Sequence, residues 1–140
     1  YNALSYLSEG VSQSPTVRIF DVENPGQPYE HIAFSPCYDP SWSPDGKQIA
    51  LVCDKGTNQA GLFIISSDGN GIREVKLGDL GNPAVLRDPT WSPDGTQIVY
   101  VAGSDYQHTN IYSVYPDGSN NHPITHQEAY YSIASVYPLP

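Results

Sequence analysis

Positive charge is scarce in this chain: six Lys and Arg stand against fifteen Asp and Glu, a formal net charge of −9 over 140 residues. A nucleic-acid surface needs Lys and Arg to displace counterions, and an anionic membrane face draws on the same cations. The balance therefore argues against both partners. A cationic partner fits it, and so does a plain acidic surface with no partner. No apolar run approaches the ~18 residues of a spanning helix, so membrane insertion is not expected. Methionine is absent, no signal peptide is visible, and the chain opens at Tyr1. These features read as a processed or excerpted segment, so the missing targeting signal says little about location. Two cysteines and four histidines do not assemble a four-ligand zinc set from local spacing. The glycine patterns of phosphate-binding loops and the Gly-x-Ser-x-Gly of a nucleophile elbow are both missing. No catalytic residue, cofactor or metal site is expected.

What is present suits a folded chain. Hydrophobic residues make up 39% and charged residues 15%, too apolar a mixture for disorder and enough for a core. The 13 prolines and 12 glycines sit as punctuation between short apolar runs, the pattern of many short strands and tight turns.

An internal repeat organises the chain. The segment from Asp39 to Val52 (DPSWSPDGKQIALV) recurs from Asp88 to Val101 (DPTWSPDGTQIVYV) at an offset of 49 residues. The same offset carries Leu62–Gly69 onto Ile111–Gly118 and Val75 onto Ile124. Each unit reads as four strands. The first ends at Trp42 or Trp91. Ser-Pro-Asp-Gly then turns the chain: Pro presets φ, Asp caps the turn, and Gly accepts a positive φ. Second strands are expected over Gln48–Cys53 and Gln97–Ala102, third strands over Gly61–Ser66 and Asn110–Tyr115. Asp68-Gly69 and Asp117-Gly118 form hairpin turns. Fourth strands follow over Ile72–Leu77 and Asn121–Thr125. Ala3–Glu9, Thr16–Val22 and Tyr29–Phe34 resemble a second, third and fourth strand. Ala134–Pro138 matches Pro89–Pro93, with Val136 in the place of Trp91. The expectation is therefore an all-β chain of twelve strands. It divides into residues 1–35 (strands two to four of a first blade), 36–83 (a second), 84–127 (a third) and 128–140 (the first strand of a next or shared blade).

The Trp42-Ser43-Pro44-Asp45-Gly46 and Trp91-Ser92-Pro93-Asp94-Gly95 segments, with their later Asp-Gly turns, resemble the WD-repeat-like blades of the TolB β-propeller family. The resemblance implies four-stranded antiparallel blades in an open arc of about three, completed by further blades or by another chain. It implies a non-catalytic scaffold for protein recognition, periplasmic or extracellular. Two alternatives stand beside it. One is a propeller segment of a larger hydrolase of the prolyl oligopeptidase-like kind that gates or positions substrate. The other is a structural protein joined blade to blade between chains, a homo-oligomer closed by a strand containing Ile133, Ser135 and Tyr137.

Individual residues carry narrower expectations. Trp42, Asp45, Gly46, Trp91, Asp94 and Gly95 are repeat positions, and so architectural. If Trp42 faces Ile49 across the turn, Cys37 lies close to Cys53 on the neighbouring strand. They form either a disulfide, which implies an oxidising compartment, or a pair of buried thiols. His122 and His126 bracket Pro123 at a strand end, where a spacing of four does not bring ligands together. Asp39, Asp45, Asp54, Asp68, Asp88, Asp94, Asp105 and Asp117 read as turn caps. Tyr29, Tyr38, Tyr106, Tyr130 and Tyr131 lie near loops or strand ends, where rigid amphipathic rings suit recognition of protein or sugar.

Overall fold

The computed structural model describes residues 3–9, 15–21, 23, 29–30, 36–56, 58–80, 83–133 and 135–136. They form three antiparallel sheets. The first holds β1 (Ala3–Glu9), β2 (Pro15–Asp21) and β3 (Tyr29–Glu30). The second holds β4 (Cys37–Trp42), β5 (Gln48–Gly56), β6 (Gln59–Ser66) and β7 (Arg73–Glu74). The third holds β8 (Val85–Trp91), β9 (Ile98–Gly103), β10 (Thr109–Val114) and β11 (His122–Pro123). In each sheet the strands lie side by side in chain order. One 3-10 turn at Gly78–Leu80 lies between the second and third sheets.

The repeated turns set this meander. After β4, the Ser43 hydroxyl donates to Asp45 Oδ1 at 2.7 Å and accepts the Gln48 amide at 2.9 Å. After β8, Ser92 does the same with Asp94 and Gln97 at 2.6 and 3.0 Å. Gly46 and Gly95 sit at φ 70° and 72°, a region that side chains with a Cβ resist. The turns place Trp42 opposite Ile49 and Trp91 opposite Ile98.

Side-chain alternation then gives the second sheet two apolar faces. Ile49, Leu51 and Cys53 point one way, into a cluster with Val17 and Ile19 of β2. Ala50, Val52, Leu62 and Ile64 point the other way, into a cluster with Leu86, Trp91, Ile98 and Tyr100 of the third sheet. Each fully buried Ile, Leu or Val stabilises the stack by about 1.5–3 kcal/mol. Sheet-on-sheet stacking is thus the main source of cohesion. A polar bridge adds to it: the Tyr100 hydroxyl donates to Asn121 Oδ1, and Asn121 Nδ2 donates to the Leu77 carbonyl.

The fourth strands are shorter than the sequence suggests. β7 and β11 pair over two residues each. Outside them, the Val75 amide donates to the Leu62 carbonyl, and the amides of Ile124 and Thr125 both donate to the Ile111 carbonyl. Pro123 brings no amide to β11. Of the expected strand at Tyr29–Phe34, residues 31–35 lie outside the described part. The described residues hold eleven strands. Of the expected twelfth, Ala134 and Tyr137 lie outside the described part, and Ile133, Ser135 and Val136 are in no described strand. A first strand pairs with the second strand of its own sheet, and no such strand neighbours Ile133 among the described residues.

Candidate functional site

The first strands of the second and third sheets, β4 and β8, each carry a bulge, between Tyr38 and Ser41 and between Arg87 and Thr90. At each bulge an aspartate adopts a left-handed backbone, Asp39 at φ 51° and Asp88 at φ 53°. The bulge swings both carboxylates out of their own ladders, toward the segment that lies beside the strand. Asp39 Oδ2 accepts the amide of Asp88 at 3.2 Å, and Asp88 Oδ2 accepts the amide of Ile133 at 3.3 Å. These two aspartates therefore do not cap turns, as their place in the repeat suggests; they tie a first strand to the segment beside it. Burial raises the Asp39 carboxyl above its ordinary range, partly offset by the Asp88 amide.

A cleft of ≈ 480 Å³ opens beside this row, lined by Asp39–Trp42, Asp88–Trp91, Ile133, Ser135 and Val136. Trp91 is buried between the second and third sheets, and Trp42 packs against the cluster of the first and second. The indole nitrogens of both are buried without a hydrogen-bond partner in the structure. Repetition marked both tryptophans in the sequence; only the fold shows that they meet at one cleft.

A second group lies at the strand ends where β9 turns into β10. Arg87 donates to Asp88 Oδ2 at 3.3 Å and to the Tyr131 carbonyl. Its guanidinium lies 4.7 Å from the ring centroid of Tyr130 and 6.0 Å from that of Tyr106. The Tyr38 hydroxyl donates to Asp54 at 3.3 Å, and burial followed by the Asp54 charge pushes that phenol well up. Of the five tyrosines expected near loops, Tyr38, Tyr106, Tyr130 and Tyr131 thus gather around this end. Tyr29 stands in β3 of the first sheet. Thr109 fixes the returning segment: its hydroxyl donates to the Ala129 carbonyl at 2.6 Å and accepts the Tyr131 amide at 3.3 Å.

The remaining sequence candidates are dispersed. Cys37 faces Cys53 in the β4–β5 register, and the two are joined by a disulfide with Cα atoms 4.0 Å apart. Asp45, Asp68, Asp94 and Asp117 accept from the amide two residues on in their turns. Asp105 caps the β9–β10 loop and holds His108 Nδ1 at 2.8 Å; that bond raises the imidazole and lowers the carboxyl. His122 is exposed and contacts the Asn120 carbonyl. No cluster of three metal-binding side chains occurs among the described residues.

No protein-family model and no curated protein matches the chain. Solved structures do. Against TolB from Acinetobacter baumannii the TM-score is 0.69 at 21% identity, over 90% of this chain and 31% of that one. Against a protein assigned as TolB from Agrobacterium tumefaciens it is 0.75 at 22% identity, over 89% and 43%. The fold is that of a β-propeller. Stacked four-stranded meanders are its blades. The propeller likeness extends to Pyrococcus horikoshii acylaminoacyl peptidase, with a TM-score of 0.57 at 15% identity over 87% of this chain and 23% of that one. The chain spans less than half the length of the TolB structures it matches.

Proposed function

We propose that this propeller chain is a non-catalytic scaffold for protein–protein recognition that works outside the cytoplasm. The cleft carries the reading. Equivalent runs of two sheets, Asp39–Trp42 and Asp88–Trp91, line it together with Ile133, Ser135 and Val136, and a concave surface of mixed polar and apolar lining suits a bound protein segment. The Cys37–Cys53 disulfide supports an oxidising compartment. The test places a photo-crosslinking residue at Ser41 or Thr90 in the cells that make the protein. A discrete protein adduct from the cleft is expected; crosslinking to nothing but solvent at both positions sinks the reading.

Two other readings each have an observation in their favour. Likeness to acylaminoacyl peptidase, prolyl endopeptidase and tricorn protease favours a propeller segment that gates substrate for a catalytic domain. Adducts consisting of short substrate peptides would support that one. A blade-to-blade assembly is favoured by β1, whose only described neighbour is β2, and by Ile133, Ser135 and Val136, which join no sheet among the described residues. A mass in light scattering that grows with concentration would support it, and a monomer throughout would remove it.

A further inference from the structure

The end of the sheets around Arg87 presents a surface that the cleft does not use. Tyr106 and Tyr130 leave 65% and 66% of their area in solvent, more than any other large apolar side chain described. Rings this exposed ordinarily sample several rotamers. Here both lie over one guanidinium, and that guanidinium is itself held by the Asp88 carboxylate and the Tyr131 carbonyl. The rings stand on a fixed cation, so a partner that covers them orders little that is not already ordered. Tyrosines of this kind make interface anchors.

The chemistry of the partner follows from what surrounds the rings. Arg87 already takes one face of each, and its charge is matched by Asp88, so the outer faces suit an apolar side chain better than a second cation. The surroundings of the rings are acidic. Asp54, Asp105 and Glu128 are all exposed at this end. Asp54 accepts the hydroxyl of Tyr38, which lies opposite Val52 at the same end of the second sheet. Asp105 precedes Tyr106 and holds His108 Nδ1 at 2.8 Å, and Glu128 precedes Ala129, which bridges to Thr109. The whole chain carries −9, so charge complementarity favours a basic partner.

We infer that Tyr106 and Tyr130, mounted on Arg87 and flanked by Asp54, Asp105 and Glu128, dock a protein segment that carries an apolar side chain beside Lys or Arg. This rests on the recognition reading above and adds the surface and the chemistry of the partner.

A displayed library of random dodecapeptides, panned on the disulfide-bonded chain, tests it. Enriched peptides should pair Lys or Arg with a neighbouring apolar residue. The Tyr106→Ala/Tyr130→Ala protein should lose at least about tenfold in their affinity. Its unfolding midpoint should stay near wild type, because the rings are mostly exposed. Asp105→Asn/Glu128→Gln should flatten the salt dependence of binding while leaving the rings in place. Peptides that bind the ring variant as well as wild type would overturn this surface and leave the recognition reading standing. Peptides without basic enrichment would overturn the assigned chemistry. If nothing is enriched, the recognition reading falls and this inference with it. A neutral oligosaccharide held by wild type and lost by the ring variant, with no peptide enriched, would overturn it in favour of a sugar platform.

Discussion

Asp39 Oδ2 accepts the amide of Asp88, a residue 49 positions later and one blade on. Asp88 Oδ2 repeats the contact with the amide of Ile133, so the same device ties β4 to β8 and β8 to the segment that follows. Both aspartates hold a left-handed backbone, which Asp and Asn tolerate and Ala resists.

Asp39→Ala and Asp39→Asn therefore separate the two roles of this residue. Alanine loses the acceptor and strains the backbone, and should lower stability by about 1–3 kcal/mol. Asparagine keeps an acceptor oxygen and the left-handed preference, and should cost less than about 1 kcal/mol. Urea unfolding of both variants measures this. Equal losses would remove the inter-blade bond as the cause.

The acid limb of stability should also depend on Asp39. Burial raises its carboxyl in the folded chain, so the fold binds that proton more readily than the unfolded chain does. Its contribution is present in full below the unfolded pKa and is lost as pH rises through the raised folded value. The exposed turn carboxylates behave oppositely. Asp45, Asp94 and Asp117 are lowered chiefly by their serine hydroxyls, and Asp68 by the Asn70 amide. Their contribution is present above the unfolded pKa and is lost as pH falls. Asp39→Asn should therefore lose stability more steeply on acidification than wild type. Urea midpoints followed from neutral to acid pH decide the point, and parallel curves would contradict it.

Reduction of Cys37–Cys53 should lower stability by about 3 kcal/mol, the effect of opening a loop of this size, here 16 residues apart in sequence. Cys37→Ala/Cys53→Ala should unfold near the midpoint of the reduced protein. A urea midpoint indifferent to reductant would mean that sheet packing alone holds β4 on β5.

Gly103→Ala should destabilise the third blade, although the position lies in a strand where alanine is otherwise tolerated. An added Cβ would come within 2.0 Å of the His108 carbonyl oxygen and 2.7 Å of Thr109 Cα. These are backbone atoms that cannot swing aside, and overpacking of this kind costs about 1–3 kcal/mol or more. Thermal unfolding of the variant measures it; a wild-type midpoint would show that the β9–β10 hairpin shifts freely.

Much of this architecture was legible in the repeat. Ser-Pro-Asp-Gly places a specific turn after Trp42 and Trp91, and the register that follows brings Cys37 opposite Cys53. Apolar residues on both faces of Gln48–Cys53 anticipate a sheet stacked on two sides. Less legible was the length of the fourth strands, because an outer strand pairs on one side only and its local pattern competes with water and with Pro123. Asp39 and Asp88 misled for a related reason. Asp before Pro reads as turn chemistry, and nothing local reveals that a bulge aims the carboxylate into the next blade.

The sequence by itself determined the blade: the turns, the order of strands and the alternation that buries Ile49 on one side and Ala50 on the other. Those outcomes follow from backbone preferences and a period of two, both local. Tertiary structure alone decided that Asp39 reaches Asp88, that Trp42 and Trp91 line one cleft, and that Tyr106 and Tyr130 share Arg87. These are contacts between residues far apart in the chain. They depend on how one twisted sheet stacks on the next, and no local pattern encodes that angle.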